Sequence, residues 1–367
     1  MVKRIKIGIQ TFFQTNYGAI LQAYALKTYL KNTFDADVEI INFTTDKHLE
    51  ERKILKKEKG RNIVITLLRY VIIIFRYGRI KRQFKRIDAF KDKHLNLTRR
   101  YSSMEEMLDN MPEEDIYITG SDQVFNPQSP YSPVYFLAFE KNRRKKIAYA
   151  PSFGISSFPK ELASQIHDWL IDFDALSSRE KTGADYISTI VNKTVPTVVD
   201  PVLLLKAEDW KEVAESPCLK YKYIFVYDRN GGQRLINLAK KVREQSNLPV
   251  IVLSANRYCR YKVKKQVFDA GPAEFLGYIK DAEYVVTDSF HGTMFSLVFG
   301  KQFYVYPAIP ALFSRIHNVL EPLGLLNHVI NEEQINSFSI SNINDSISIP
   351  PKFVSQSKVY LNEAINQ

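Results

Sequence analysis

Short runs of β-branched and aromatic residues alternate along this chain with longer stretches of helical spacing. Residues 5–11 read as a strand. Residues 19–32 read as the helix after it, with apolar side chains at Ile20, Leu21, Tyr24, Ala25, Tyr29 and Leu30. A second strand spans 38–43, and then the alternation breaks. It resumes with strands at 115–120, 145–150, 175–178 and 197–199, and with helices at 160–170 and 180–187. Asp200-Pro201 ends that series, because proline cannot continue a ladder. The polar stretch 203–221 carries no strong strand and marks a domain boundary. A second series opens with a strand at 223–227 and a turn at Gly231-Gly232. Helices follow at 235–245, 272–279 and 292–299, and strands at 250–253, 284–287 and 302–306; 314–323 and 358–366 are helical. Strands alternating with helices predict an α/β chain of parallel sheets covered on both faces, with a ligand cleft between two such domains. The domains are expected at 1–205 and 206–367, the last helix packing back on the first.

The chain of 367 residues has a formal net charge of +11, which taken whole suggests a polyanionic partner. Its distribution changes that picture. Residues 47–100 hold 18 Lys and Arg against 5 Asp and Glu, a balance of +13, which leaves 33 against 35 elsewhere, or −2. The basicity therefore belongs to an insertion in the N-terminal domain, read as two helices at 47–60 and 61–94. Few aromatics interleave its cations, and Ile and Leu are abundant, so an anionic membrane surface fits better than nucleic acid. The alternative is a solvated hairpin that packs its Ile/Leu face on the N-terminal domain. Its apolar run 63–75, broken by Arg69, is at about 13 residues too short to span a bilayer. Cys218 and Cys259 make no disulfide framework or zinc spacing, and no apolar stretch of signal length follows Met1. A cytoplasmic protein is expected, at most peripheral on the inner face of the membrane.

Ligands of open α/β sheets gather at the carboxyl ends of strands, so the residues after each strand are the candidates. Asn16, in Gln14-Thr15-Asn16-Tyr17-Gly18, would cap a helix whose N-terminus could also take an anion. No Gly-x-Gly-x-x-Gly follows the first strand, so no dinucleotide site is indicated. In Gly120-Ser121-Asp122-Gln123, Asp122 stands where a carboxylate could hold or deprotonate a sugar hydroxyl, or simply form a turn. Ser152, in Ala150-Pro151-Ser152-Phe153-Gly154, could donate to a phosphate or hydroxyl but lacks the setting of a nucleophile. Arg179 could grip a carboxylate or phosphate with its planar fork, or form a salt bridge with Glu180 or Asp200. The most informative run is Thr287-Asp288-Ser289-Phe290-His291-Gly292-Thr293, at a strand-to-helix corner. There His291 is placed to act as a base or proton shuttle, and Gly292 allows close backbone approach. The other histidines, His48, His94, His167, His317 and His328, lack ligand spacing, so no metal site is predicted.

In order along the chain, these segments resemble the polysaccharide pyruvyl transferase family. The resemblance rests on Asn16-Tyr17-Gly18-Ala19 with Leu21 to Leu26, the Gly120, Ala150 and Ser178 segments, Asp200-Pro201-Val202-Leu203-Leu204, and the run 287–293. It implies two Rossmann-like domains facing across a cleft, in the GT-B manner. It also implies transfer of pyruvate from phosphoenolpyruvate to two hydroxyls of a sugar in a capsular or exopolysaccharide repeat unit, closing a cyclic ketal. No cofactor is implied, and a lipid-linked oligosaccharide would be the acceptor. By the same resemblance His291 is the acid–base group, and Arg179 the anion clamp with Arg315 as a second. Asp122 and Gln123 face the acceptor, and Asn16, Ser152 and Ser289 line the substrates. Other branches of that family carry Arg-Leu just before the motif histidine, where this chain has Ser289-Phe290. Either Arg179, Arg229 or Arg315 supplies the missing cation, or the donor differs. The competing readings are a GT-B glycosyltransferase using a nucleotide-sugar, and a non-catalytic membrane-surface protein derived from such a transferase.

Overall fold

A computed structural model of the chain describes residues 4–54, 63–155, 160–230, 232–255, 263–343 and 346–367. Residues 55–62 of the basic insertion, Gly231 of the expected turn, and Cys259 lie outside those residues. The chain divides into two units. Unit 1 comprises Met1–Leu49, Lys91–Leu205 and Pro350–Gln367; unit 2 comprises Glu50–Phe90 and Lys206–Ile349.

Unit 1 is built on six parallel strands: β1 (Lys6–Gln10), β2 (Asp37–Phe43), β3 (Leu97–Tyr101), β4 (Ile116–Thr119), β5 (Lys145–Ala148) and β6 (Ala175–Leu176). They stand in the order β3-β2-β1-β4-β5-β6. An aromatic cluster that includes Phe43, Tyr117, Phe125, Tyr135, Phe136 and Phe153 fills one face, with the Phe125 and Phe136 rings stacked at 4.2 Å. Residues 197–199 do not form the expected strand; only Thr197 bridges, to Ser178. Helix Pro351–Asn366 belongs to this unit. Its Ser357 hydroxyl accepts from the Val199 amide at 2.9 Å, and its Tyr360 hydroxyl donates to the Ala148 carbonyl at 2.9 Å.

Unit 2 carries five parallel strands: β7 (Ile224–Asp228), β8 (Val250–Ser254), β9 (Lys265–Val267), β10 (Tyr284–Thr287) and β11 (Gln302–Val305). Their order is β11-β10-β7-β8-β9. Every residue of β7 and β8 is buried, as a parallel strand covered on both faces requires. Both sheets are thus doubly wound.

The basic insertion departs from expectation. Its helices are Asp46–Glu51 and Ile63–His94, and residues 50–90 group with unit 2 instead of with the N-terminal sheet. Arg86 fixes it there: its Nε lies 2.7 Å from Glu274 Oε1 and its Nη1 donates to the Asp269 carbonyl at 2.7 Å. The Arg76 guanidinium lies 4.0 Å from the centre of the Phe268 ring. Buried Ile73, Ile80 and Ile87 recur every seven residues and give the helix a single anchored stripe.

Candidate functional site

A doubly wound sheet opens a crevice where the strand order reverses, beyond the carboxyl ends of the two strands that flank the reversal. In sheet 1 the chain passes from β1 to β2 and β3, then returns to β4 on the other side of β1. In sheet 2 it passes from β7 to β8 and β9, then returns to β10 on the other side of β7. Asn16 and Asp122 therefore follow the two strands at the first reversal. Arg229 and His291 follow the two strands at the second.

In unit 2, Asp288 ties the two strand ends together. Its Oδ1 accepts from the Arg229 amide at 2.7 Å, and its Oδ2 from the amide and side chain of Asn230, both at 2.9 Å. Burial pushes this carboxyl above its ordinary range, with Asp228 adding, while those three donors hold it down. Asp228 is itself buried and accepts from Ser254 Oγ at 2.9 Å. Helix Phe290–Val298 begins two residues earlier than its apolar spacing suggests, so His291 lies within the first turn. Ser289 caps that helix by accepting from the Gly292 amide at 3.3 Å. Its hydroxyl therefore helps to build the corner. A Cβ on Gly292 would lie 2.6 Å from Thr287 Oγ1, so only glycine lets the helix sit this close to β10. His291 is 7 % exposed and meets the Phe290 ring edge-on at 5.3 Å. The Arg229 side chain is exposed and reaches the Tyr227 hydroxyl. Arg315 is half-buried on helix Pro310–Leu320.

In unit 1, Asp122, Gln123, Ser152 and Arg179 do come together. Asp122 adopts φ +73°, a conformation that aspartate tolerates, and its carbonyl accepts from the Ser152 amide at 2.8 Å. Gly120, at φ +116°, has no room for a side chain, since a Cβ would lie 2.0 Å from the Tyr149 carbonyl oxygen. Gln123 lies against Gly154. The Ser152 side chain is buried and accepts from the Gly154 amide at 3.1 Å, which closes its own loop.

Arg179 takes the salt-bridge role, with both of the expected partners. Its Nη1 lies 2.7 Å from Asp200 Oδ2 and its Nε 3.4 Å from Glu180 Oε1, with Asp122 Oδ1 at 3.9 Å from Nη2. Its side chain is 2 % exposed. Burial pulls the guanidinium down, but Glu180, Asp200 and Asp122 together outweigh burial and hold it above its ordinary value. A guanidinium enclosed by three carboxylates is not presented as an anion clamp. Of the three arginines that could replace the missing cation, Arg229 and Arg315 share a unit with His291, and Arg179 does not. Asn16 Oδ1 accepts from the Gly18 amide at 3.0 Å and so caps helix Tyr17–Phe34.

Two residues at the first reversal carry more than their local pattern shows. Gln22 links the strand ends: its Nε2 donates to Thr11 Oγ1 at 2.8 Å and its Oε1 accepts from the Ser121 amide at 3.1 Å. Gln10, the last residue of β1, is buried, and its amide atoms have no hydrogen-bond partner among the described residues. An unpaired buried amide costs about 1–3 kcal/mol and marks a site under other constraints. A glutamine closing the otherwise apolar run Ile7-Gly8-Ile9 was the available signal. Among the described residues, no group of three His, Cys, Asp or Glu stands together as a metal site.

Comparison with solved structures finds the same architecture. UDP-N-acetylglucosamine 2-epimerase from Rickettsia bellii is similar over 99% of this chain and 95% of its own, at 9% identity and a TM-score of 0.53. The enzyme of that name from Neisseria meningitidis, bound to UDP-GlcNAc, aligns over 100% of both chains at 10% identity and a TM-score of 0.47. The first likeness is one of fold alone: mixed α/β with two Rossmann-like domains of the GT-B kind. No curated protein sequence matches the chain. The family model for polysaccharide pyruvyl transferase matches residues 16–307, from the cap of the first helix through Asp122 and His291 to just past β11. The chain belongs to the polysaccharide pyruvyl transferase family.

Proposed function

We propose that the chain transfers pyruvate from phosphoenolpyruvate to two hydroxyls of one sugar, forming a cyclic ketal and releasing phosphate. The observation that supports this most is His291 in the first turn of its helix at the second strand reversal, on the loop that Asp288 ties to Arg229. Imidazolium at His291 would give its proton to the methylene carbon of phosphoenolpyruvate as one sugar oxygen bonds to the adjacent carbon. The proton of that first hydroxyl would pass to a phosphate oxygen. The second hydroxyl would then replace phosphate at that carbon, the carbon–oxygen bond breaking so that hydrogen phosphate leaves, and the second hydroxyl proton would return to the imidazole. No covalent enzyme intermediate is required. Arg229 is the cation proposed for the donor, since its side chain is exposed beside the corner that holds His291. In unit 1, Asp122, with Gln123 and Gln10, is proposed to orient acceptor hydroxyls. The acceptor itself is proposed to be a lipid-linked oligosaccharide of a capsular or exopolysaccharide repeat unit.

The test is thermal stabilisation of the purified chain by phosphoenolpyruvate, followed by phosphate release on addition of candidate sugar diols. Stabilisation that is lost in Arg229→Gln, whose unliganded melting temperature stays unchanged, is expected. Stabilisation by nucleotide-sugars and none by phosphoenolpyruvate would overturn the proposal in favour of glycosyl transfer.

A further inference from the structure

The long helix Ile63–His94 carries two apolar stripes, and only one of them is covered. Ile73, Ile80 and Ile87 are buried. Leu67, Leu68, Val71, Ile74 and Phe75 are exposed, Ile74 at 65% and Phe75 at 83%. At about 100° per residue these five fall within an arc of roughly 120°, and the buried isoleucines fall on the opposite side. Surface helices of soluble domains place polar residues on such an arc, so an uncovered run of large apolar side chains marks an interaction surface.

The charges on the same helix say what kind of surface. One to three turns further on, the same side of the helix carries exposed Arg79, Lys81 and Lys85, which form no ion pair or hydrogen bond among the described residues. Arg82 and Arg86 of the same stretch are instead tied to Asp269 and Glu274. A patch that is apolar in its first half and cationic in its second matches the boundary between acyl chains and anionic headgroups. An apolar protein partner would leave the cations unmatched, and a nucleic acid would leave Leu68, Ile74 and Phe75 in water. No described helix is long and apolar enough to cross a membrane, so the helix would lie in the interface.

We propose that this face of the helix docks unit 2 on an anionic lipid bilayer, Leu67, Leu68, Val71, Ile74 and Phe75 entering the acyl boundary while Arg79, Lys81 and Lys85 meet lipid phosphates. The inference is independent of the chemistry assigned to His291.

The experiment is flotation of the full chain with vesicles of phosphatidylcholine alone or with one third phosphatidylglycerol, for wild type, Leu68→Ser/Ile74→Ser/Phe75→Ser and Lys81→Glu/Lys85→Glu. Wild type is expected to float with the anionic vesicles only, and each variant to lose at least about tenfold in partitioning. Phe75→Trp is expected to shift its fluorescence to the blue on the same vesicles. The substituted side chains are exposed, and the melting temperature of each variant verifies that the fold is kept. Wild type that ignores anionic vesicles, or serine variants that float as well as wild type, would overturn the proposal. So would a concentration-dependent dimer abolished by the serine substitutions, which would show that a second copy covers the face.

Discussion

Replacing Arg179 by Met separates an ion-pair keystone from a ligand clamp. The substitution keeps the volume of the side chain but leaves buried Asp200 and Glu180 without their cation. At an effective dielectric of about 20, a unit pair near 4 Å is worth about 4 kcal/mol, and losing one partner of a buried pair costs about 3–5 kcal/mol. Asp200 keeps some compensation, since it still accepts from the Val202 amide at 3.1 Å and from Ser121 Oγ at 3.4 Å. A loss of about 3–4 kcal/mol is therefore expected. For a unit of this size that corresponds to a melting temperature lower by about 10 °C. Thermal unfolding followed by circular dichroism reads this directly. Arg179→Met/Asp200→Leu should recover part of the loss, because it removes the uncompensated charge as well. A melting temperature within one degree of wild type, together with a raised KM for phosphoenolpyruvate, would refute the reasoning and return Arg179 to the donor site.

The remaining predictions concern the catalytic corner and one titrating group. His291→Gln should lower kcat by about 10²–10⁴-fold with an unchanged far-ultraviolet circular dichroism spectrum, as expected for loss of a general acid–base group. Gly292→Ala would place a Cβ 2.6 Å from Thr287 Oγ1, which is held by its bond to the Tyr227 carbonyl. That overpacking should cost about 1–3 kcal/mol in chemical denaturation, and a Gly292→Ala chain as stable as wild type would contradict the close approach. Burial, reinforced by Glu39, pushes the Glu114 carboxyl up from 4.5 to about 7. Between those values the folded chain keeps a proton that the unfolded chain releases. Stability therefore falls as pH rises through that window, by roughly 3 kcal/mol from this group. Glu114→Gln should accordingly raise the denaturation midpoint at pH 8 and leave it nearly unchanged at pH 4; equal effects at both pH values would sink the assignment.

Buried central strands were legible in the sequence because both of their faces are apolar. The strands β3 and β9 were not, since neither carries an apolar run: Arg99 and Arg100 of β3 are exposed, and β9 reads Lys265-Gln266-Val267 with only Val267 buried. The strand-end segments that carry Asp122 and His291 stood out because the sheet places ligands there in any doubly wound fold. The use of Arg179 was not decidable from its neighbours. Its nearest partner, Asp200, is 21 positions away and reaches it only once the chain returns beside Ser178 after helix Lys181–Val191. The insertion shows the same limit. Its two apolar stripes are visible as periodicity, but which one is covered depends on Asp269 and Glu274, more than 180 residues downstream.

The path of the chain has a consequence for synthesis on the ribosome. The polypeptide passes between the units four times, after Leu49, Phe90, Leu205 and Ile349, so neither unit is a continuous segment. Unit 1 lacks helix Pro351–Asn366 until all of unit 2 has been translated, and Ser357 and Tyr360 are then still to bind Val199 and Ala148. At about 5–20 residues per second, the nascent first sheet waits some ten seconds or more for its final helix. A fragment ending at residue 205 would hold all six strands and still expose the surface that this helix covers. A nascent chain stalled there should be a chaperone client, and separate expression of the two halves should yield insoluble protein.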